Sequence, residues 1–212
     1  MADLHYEKIY EWNLVYRMNH WIRAISIFTL IFTGYYIYWP FLSPEEDSQL
    51  MNLMRFFHFI SMYIIILSFI AQLYFDKDIW EYLPTWNKIK TIPDMLAYYL
   101  FLKDTHEEYG KFNPLQALTY FFWGLLLIIE TLTGFAIYSG NIFGIWDSRT
   151  AFGWVNNILG GMPITRLVHF AIMWIFIITV PVHVYMVILK NLTDRDSTFW
   201  SIFTGYKLKR TG

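Results

Sequence analysis

Six histidines and no cysteine bound the chemistry open to this 212-residue chain. Without thiolates it cannot build a disulfide framework, a cysteine-ligated zinc site, its own iron–sulfur cluster or a thioether-attached haem. Metal or redox chemistry on its own side chains therefore falls to imidazole. His5 and His106 lie in polar segments and read as solvated. His20, His58, His169 and His183 lie at or inside apolar stretches. His169 and His183 are 14 residues apart. On one helix that spacing stops about 40° short of four turns, so both face the same side, about 21 Å apart along the axis. Two flat cofactors stacked along a bundle, each clamped by imidazoles from two helices, need this spacing. Haem iron accepts two axial imidazoles, and helix bundles build such sites from facing helices.

Arginines follow the same histidines. Arg17, Arg55 and Arg166 stand three residues before His20, His58 and His169, although arginine supplies only 7 of the 212 residues. Positions i and i+3 share a helix face, and each arginine is on the membrane-surface side of its histidine. Haem propionates would point that way, and a guanidinium binds carboxylates with a planar fork. Below His183 the partner should lie downstream, where Lys190 stands at i+7.

The elements that must position these residues are membrane spans. The chain is 56% hydrophobic, 21% aromatic and only 16% charged. Four apolar segments, about 21–39, 56–75, 115–138 and 167–189, are each long enough to cross a hydrocarbon core of ~30 Å. In lipid the backbone must satisfy itself internally, so these should be helices; the alternating strands of a barrel are not seen. The first span is too long, and lacks a small-residue cleavage site, to read as a cleaved signal peptide. Trp12, Trp21, Trp39, Trp146, Trp154 and Trp200 crowd the span ends as an interfacial belt. One side receives 13 Lys and Arg residues. The other receives Arg55, Arg149 and Arg166, together with the acidic run Glu45, Glu46 and Asp47. The sequence thus predicts an all-α integral membrane four-helix bundle of the cell inner membrane, with both termini cytoplasmic. His58 and His169 then lie at an outer level, His20 and His183 at an inner one. Ile92 to Lys103 reads as a short amphipathic helix on the membrane surface. No internal repeat or linker is seen, so residues 1–212 read as one domain. The net charge of −1 gives no sign of nucleic-acid binding.

Other readings of the same residues remain open. A membrane histidine can be a helix–helix hydrogen-bond partner. A metal or ion transporter could use membrane histidines, but would want them at one depth with carboxylates. The carboxylate inside a span is Glu130, near Thr131 and Thr133. It is either a structural carboxylate or a polar contact near an outer cofactor. Gly34, 14 residues after His20, lies near the outer level. It, Gly124 and Gly134 let either a haem edge or a neighbouring helix approach. Pro181 should kink the fourth span or free a carbonyl.

The chain resembles the b-type cytochrome subunits of membrane-bound nickel–iron hydrogenases, a group related to the gamma subunit of respiratory formate dehydrogenase. The resemblance runs almost the whole length. It rests on Tyr16-Arg17-Met18-Asn19-His20-Trp21, Arg55-Phe56-Phe57-His58, Asn113-Pro114-Leu115-Gln116 and Thr133-Gly134-Phe135-Ala136-Ile137-Tyr138-Ser139. It continues through His169, Met173-Trp174, His183-Val184-Tyr185-Met186 and the tail Ser201-Ile202-Phe203-Thr204-Gly205-Tyr206-Lys207. Gly110-Lys111-Phe112 departs toward the formate dehydrogenase pattern, because hydrogenase cytochromes tend to have a histidine before the Asn-Pro. The resemblance implies two b-type haems, an outer one on His58 and His169 and an inner one on His20 and His183. It implies partners outside the membrane: a hydrogenase large subunit and a small subunit with a transmembrane anchor helix. Electrons would pass from the small subunit's clusters to the outer haem, the inner haem and then membrane quinone near the cytoplasmic side. Asn113 and Gln116 would line the quinone pocket, since amides can hydrogen-bond a quinone carbonyl. The alternative for Asn113 is a helix N-cap followed by Pro at N1. The cytochrome subunit of another dehydrogenase, such as formate or thiosulfate, is a second function within the same class.

Overall fold

The computed structural model describes residues 5–42, 48–103, 109 and 111–211. The acidic run Glu45, Glu46 and Asp47, His106 and Gly110 lie outside the described residues. The chain forms two compact units, residues 1–76 with 173–212 and residues 77–172.

The first unit contains α1 (Leu14–Tyr38) and α2 (Gln49–Phe75). Asn13 and Ser48 start them, each side chain accepting the backbone N–H three residues on. The helices pair antiparallel. Near the start of α1, Arg23 donates to Ser68 Oγ (3.0 Å), to the Ser68 carbonyl (3.2 Å) and to Gln72 Oε1 (2.7 Å), and its guanidinium lies over the Phe69 ring at 4.7 Å. Ser68 Oγ donates in turn to Asn19 Oδ1 at 2.7 Å. Here a charge counted at the cytoplasmic side by sequence is folded into a hydrogen-bonded network between two spans, which is how a cation is tolerated there.

The same unit holds a feature that local patterns could not signal. Strand β1 (His5–Tyr10) pairs antiparallel with a strand at the far end of the chain, Tyr206–Thr211, with Ile9 opposite Lys207. Lys8 sits over the Tyr206 ring at 4.3 Å, and the Tyr10 and Tyr206 rings lie 5.2 Å apart. The expected all-α membrane architecture stands, with this short terminal ribbon added to it. Cross-strand ring and cation pairs stabilise it, and its two halves are separated by nearly the whole sequence.

The second unit begins with a 3-10 turn at Ile79–Tyr82, α3 (Trp86–Lys90) and α4 (Ile92–Tyr99). The last is the helix expected from Ile92 onward, ending four residues earlier than the sequence suggests. Next is α5 (Pro114–Ile137), followed by a small ribbon of β2 (Asn141–Ile142) and β3 (Trp146–Asp147) and by α6 (Ser148–Leu159). Ser148 Oγ donates to the Phe135 carbonyl at 2.6 Å, Asn156 Nδ2 to the Ala136 carbonyl at 3.0 Å, and Phe135 stacks on Phe152. These bonds fasten α6 to the last turn of α5 by taking up carbonyls that a helix end leaves free.

α7 (Met162–Thr193) runs through Pro181 without interruption. It passes from the second unit into the first at Met173. α8 (Thr198–Thr204) and the terminal strand β4 (Tyr206–Thr211) complete the first unit. α1, α2, α5 and α7 are each long and apolar enough to cross a membrane. α1, α2 and α7 begin well before their sequence-derived spans, because their more polar first turns are helical too, whereas α5 is shifted by a single residue.

An ion-pair cluster closes the tail. Lys190 pairs with Asp194 and, at 3.3 Å, with Asp196; Lys207 reaches Asp196 at 3.2 Å. Burial alone would push the Asp196 carboxyl up. The two ammonium groups and the Thr198 donors outweigh it and hold the carboxyl below the usual carboxylate range. A depressed folded-state pKa stabilises above the unfolded value and is lost as pH falls through the folded one. The β1–β4 ribbon should therefore be fully protected at neutral pH and loosen below about pH 4. Limited proteolysis of the tail across that range checks this. Asp196→Asn should loosen the tail at neutral pH and remove the acid step; an unchanged step in that variant would refute it.

Candidate functional site

The four membrane histidines are all partly buried. In the first unit, His58 on α2 meets the Thr33-Gly34 dipeptide of α1. Thr33 Oγ1 lies 2.9 Å from His58 Nδ1, and a Cβ on Gly34 would stand 3.2 Å from His58 Cε1. In the second unit, His169 on α7 meets Thr133-Gly134 of α5. Thr133 Oγ1 lies 3.0 Å from His169 Nδ1, and a Cβ on Gly134 would stand 3.2 Å from His169 Cε1. Two histidines far apart in sequence are thus held by the same pair of residue types at nearly the same distances.

Sequence reading passes over this repeat, though its signal is present. Phe32-Thr33-Gly34-Tyr35-Tyr36-Ile37-Tyr38 closes α1, and Leu132-Thr133-Gly134-Phe135-Ala136-Ile137-Tyr138 closes α5. The next long helix after each, α2 or α7, carries Arg-x-x-His in its N-terminal part, at Arg55–His58 and Arg166–His169. The absence of an internal repeat, expected from sequence, is corrected accordingly. What Gly34 and Gly134 admit within the protein itself is the edge of an imidazole.

His20 lies 13 residues before Thr33 on α1, which separates it from the His58 level by about 20 Å of helix rise. It belongs to the same unit as His183, and the two rings are within electrostatic range of each other. Among the described residues His20 Nδ1 has no hydrogen-bond partner, and its ring lies edge-on to Trp21 at 5.3 Å. His169 and His183 ride on the one helix α7 with the expected spacing.

Glu130 lies beside His169, its Oε2 at 3.4 Å from Nδ1. That approach fits either of its two readings, a paired structural carboxylate or a polar contact near a candidate ligand. Among the described residues no cluster of three or more His, Cys, Asp or Glu side chains gathers at one place, whereas a haem needs only two imidazoles from the protein.

The arginines differ. Arg17 donates through Nη1 to the Phe203 carbonyl of α8, and its buried Nε has no partner among the described residues. Arg55 is partly buried and Arg166 is exposed. Asn113 and Gln116 form a complete capping box. Asn113 Oδ1 accepts the Gln116 N–H at 2.8 Å, and Gln116 Oε1 accepts the Asn113 N–H at 3.0 Å. Asn113 Nδ2 donates to the Tyr99 hydroxyl at 3.1 Å. The capping role expected as an alternative is therefore real, and it occupies both amide oxygens.

The donor set fits haem. A ligating imidazole normally gives its second N–H to a fixed acceptor, and both threonines stand where that acceptor is needed. Four helices able to cross a membrane, three of which carry imidazoles, define a class: integral membrane proteins able to hold a porphyrin iron through histidine alone. The chain matches the prokaryotic cytochrome b561 family over residues 11–205 and belongs to it. It is 31% identical to a probable Ni/Fe-hydrogenase B-type cytochrome subunit of Cupriavidus necator, covering 90% of this chain and 83% of that one. It is 33% identical to the protein of the same description in Rhizobium leguminosarum, covering 98% and 94%. It is 29% identical to that of Azotobacter vinelandii, covering 94% and 88%.

Proposed function

We propose that this chain is the dihaem b-type cytochrome subunit of a nickel–iron hydrogenase, a single membrane domain that carries electrons from the enzyme's iron–sulfur clusters to membrane quinone. Family membership supports an electron-transferring b-type cytochrome in the membrane. The shared description of the relatives supports a hydrogenase as partner. The observation that carries the reading is the matched seating of His58 and His169, each with Nδ1 on a threonine hydroxyl.

Haem, when bound, supplies a one-electron couple held by neutral imidazoles. In this proposal His58 and His169 hold an outer haem beside Gly34, and His20 and His183 an inner one. Arg17, Arg55 and Arg166 neutralise propionates; Arg17 Nε is the group still free to do so. Both termini are cytoplasmic by the Lys and Arg bias, and the pairing of β1 with β4 supports their lying on one side together. The chain then sits in the inner membrane, with the hydrogenase large subunit and the anchored small subunit on the periplasmic side. Near the cytoplasmic end of α5, Gln116 Nε2 is the amide donor that the capping box leaves for a quinone carbonyl; Asn113 positions it. Lipid covers the outward apolar faces of the four spans, on which Phe28, Leu67 and Ile178 are exposed.

The test is an absorption spectrum of the dithionite-reduced full chain with identification of its co-purifying subunits. Two b-type haems, released by acid–acetone, and hydrogenase subunits are expected. Haem-free protein after haem-supplemented expression would refute the cytochrome reading. Co-purification of another dehydrogenase would move the chain to that enzyme.

A further inference from the structure

The threonine contacts carry a consequence beyond haem ligation. A hydroxyl has one proton to donate. Thr33 Oγ1 directs its proton to the Thr29 carbonyl at 2.6 Å, and Thr133 Oγ1 to the Ile129 carbonyl at 2.8 Å. Each oxygen then meets its histidine with lone pairs only, so the contacts at 2.9 and 3.0 Å run from Nδ1–H to Oγ1; the Leu30 backbone also bonds the His58 ring, and Glu130 Oε2 stands farther off, 3.4 Å from His169 Nδ1. That assigns the tautomer. The proton of each neutral imidazole is on Nδ1, and the lone pair is on Nε2. The adjoining glycine makes room for the ring in this position, because Cε1 lies 3.2 Å from where a Cβ would be. The backbone-anchored hydroxyl sets the protonation and direction of the ring, and the absent side chain admits its edge.

We propose that Thr33 and Thr133 are positioning residues that present Nε2 of His58 and His169 to haem iron and tune the potential at that iron. The proposal rests on the ligand reading above. A fixed acceptor on Nδ1–H makes the ligand more basic. An electron-rich imidazole favours the oxidised iron, which carries the greater positive charge. Each threonine thus lowers the midpoint potential of the iron its histidine binds. His20, whose Nδ1 has no such acceptor among the described residues, does not share the device.

The test compares Thr33→Val, Thr33→Ser, Thr133→Val and Thr133→Ser in the full chain, by redox titration of the haem bands and by electron paramagnetic resonance of the oxidised protein. Valine keeps the shape and removes the hydroxyl acceptor, leaving the Leu30 backbone at His58 and Glu130 at His169; serine keeps the hydroxyl. Each valine variant should raise the midpoint of one haem. The reduced-to-oxidised ratio at fixed ambient potential should grow on the order of three- to tenfold, the upper figure being 59 mV for one electron. The low-spin signal of that haem should shift as well, and serine should restore both. If valine expels the haem, retention of it with the wild-type potential in the serine variant supports the same role. Valine variants that keep both haems and titrate like wild type overturn the proposal, and so does serine shifting or losing haem as valine does. Failure of the ligand reading looks different: wild-type protein without haem, or His58→Ala and His169→Ala variants that keep both.

Discussion

Alanine at His58 or His169 should remove one haem and leave the other, and alanine at His20 or His183 should remove the one that remains. Haem per chain, measured by the pyridine haemochrome, should fall from two to one in every single variant. The pair His58→Ala/His169→Ala should lose no more than either alone. The expectation follows from position. His20 and Thr33 are separated by about 20 Å along α1, and Thr33 marks the His58 level. His169 and His183 are separated by about 21 Å along α7. No single haem reaches both levels, so each level titrates as its own unit. A redox titration of each variant should show one component missing and the other nearly unmoved. If His58→Ala and His20→Ala abolish the same component, the assignment of ligands to levels is wrong.

The second large effect is expected at the glycines. A Cβ at Gly34 or Gly134 would stand 3.2 Å from the Cε1 of its histidine, so the ring must give by a few tenths of an ångström. Alanine should therefore be tolerated with a displaced ring, visible as a changed low-spin signal. Valine adds two further methyl groups to the same gap in a close-packed region. It should turn the imidazole away from its threonine and weaken haem retention at that level on the order of 10- to 100-fold, the loss typical when the support of a metal ligand fails. Gly153 is the control, since a Cβ there meets nothing within 4 Å; Gly153→Ala should leave both haems and both potentials unchanged. Were the glycines only surfaces for helix packing, Gly34→Val and Gly134→Val would lower thermal stability without selecting one haem over the other. Haem content and melting temperature, measured together, separate the two outcomes.

Much of this protein is legible in its sequence, for physical reasons that differ by residue. α1, α2, α5 and α7 were readable because a hydrocarbon core demands long apolar helices. Their precise ends were not, because the turns that follow the caps Asn13 and Ser48 are helical yet partly polar. His20, His58, His169 and His183 stood out because imidazole is rare in such surroundings. Thr33 and Thr133 did not, because threonine is common in apolar helices and commonly bonds its own backbone, as both do here as well. The second function of the hydroxyl, as an acceptor for a ring on another helix, leaves no local trace. The repeated Thr-Gly-aromatic ending of two spans was the available clue. Arg23 was legible as a charge near the membrane surface, but not as the centre of a network with Ser68 and Gln72.

Sequence by itself determined the class of this protein: a membrane chain without thiolates, with imidazoles at two depths set by the 14-residue interval on one helix. That follows from the fixed rise and turn of a helix and from the refusal of lipid to hydrogen-bond a backbone. Only the tertiary structure decided which group meets His58 and His169, that Asn113 and Gln116 use their oxygens in a helix cap, and that the two chain ends pair as strands. Those are contacts between residues distant in sequence. They depend on which faces of independently stable elements come together, and no local periodicity encodes that.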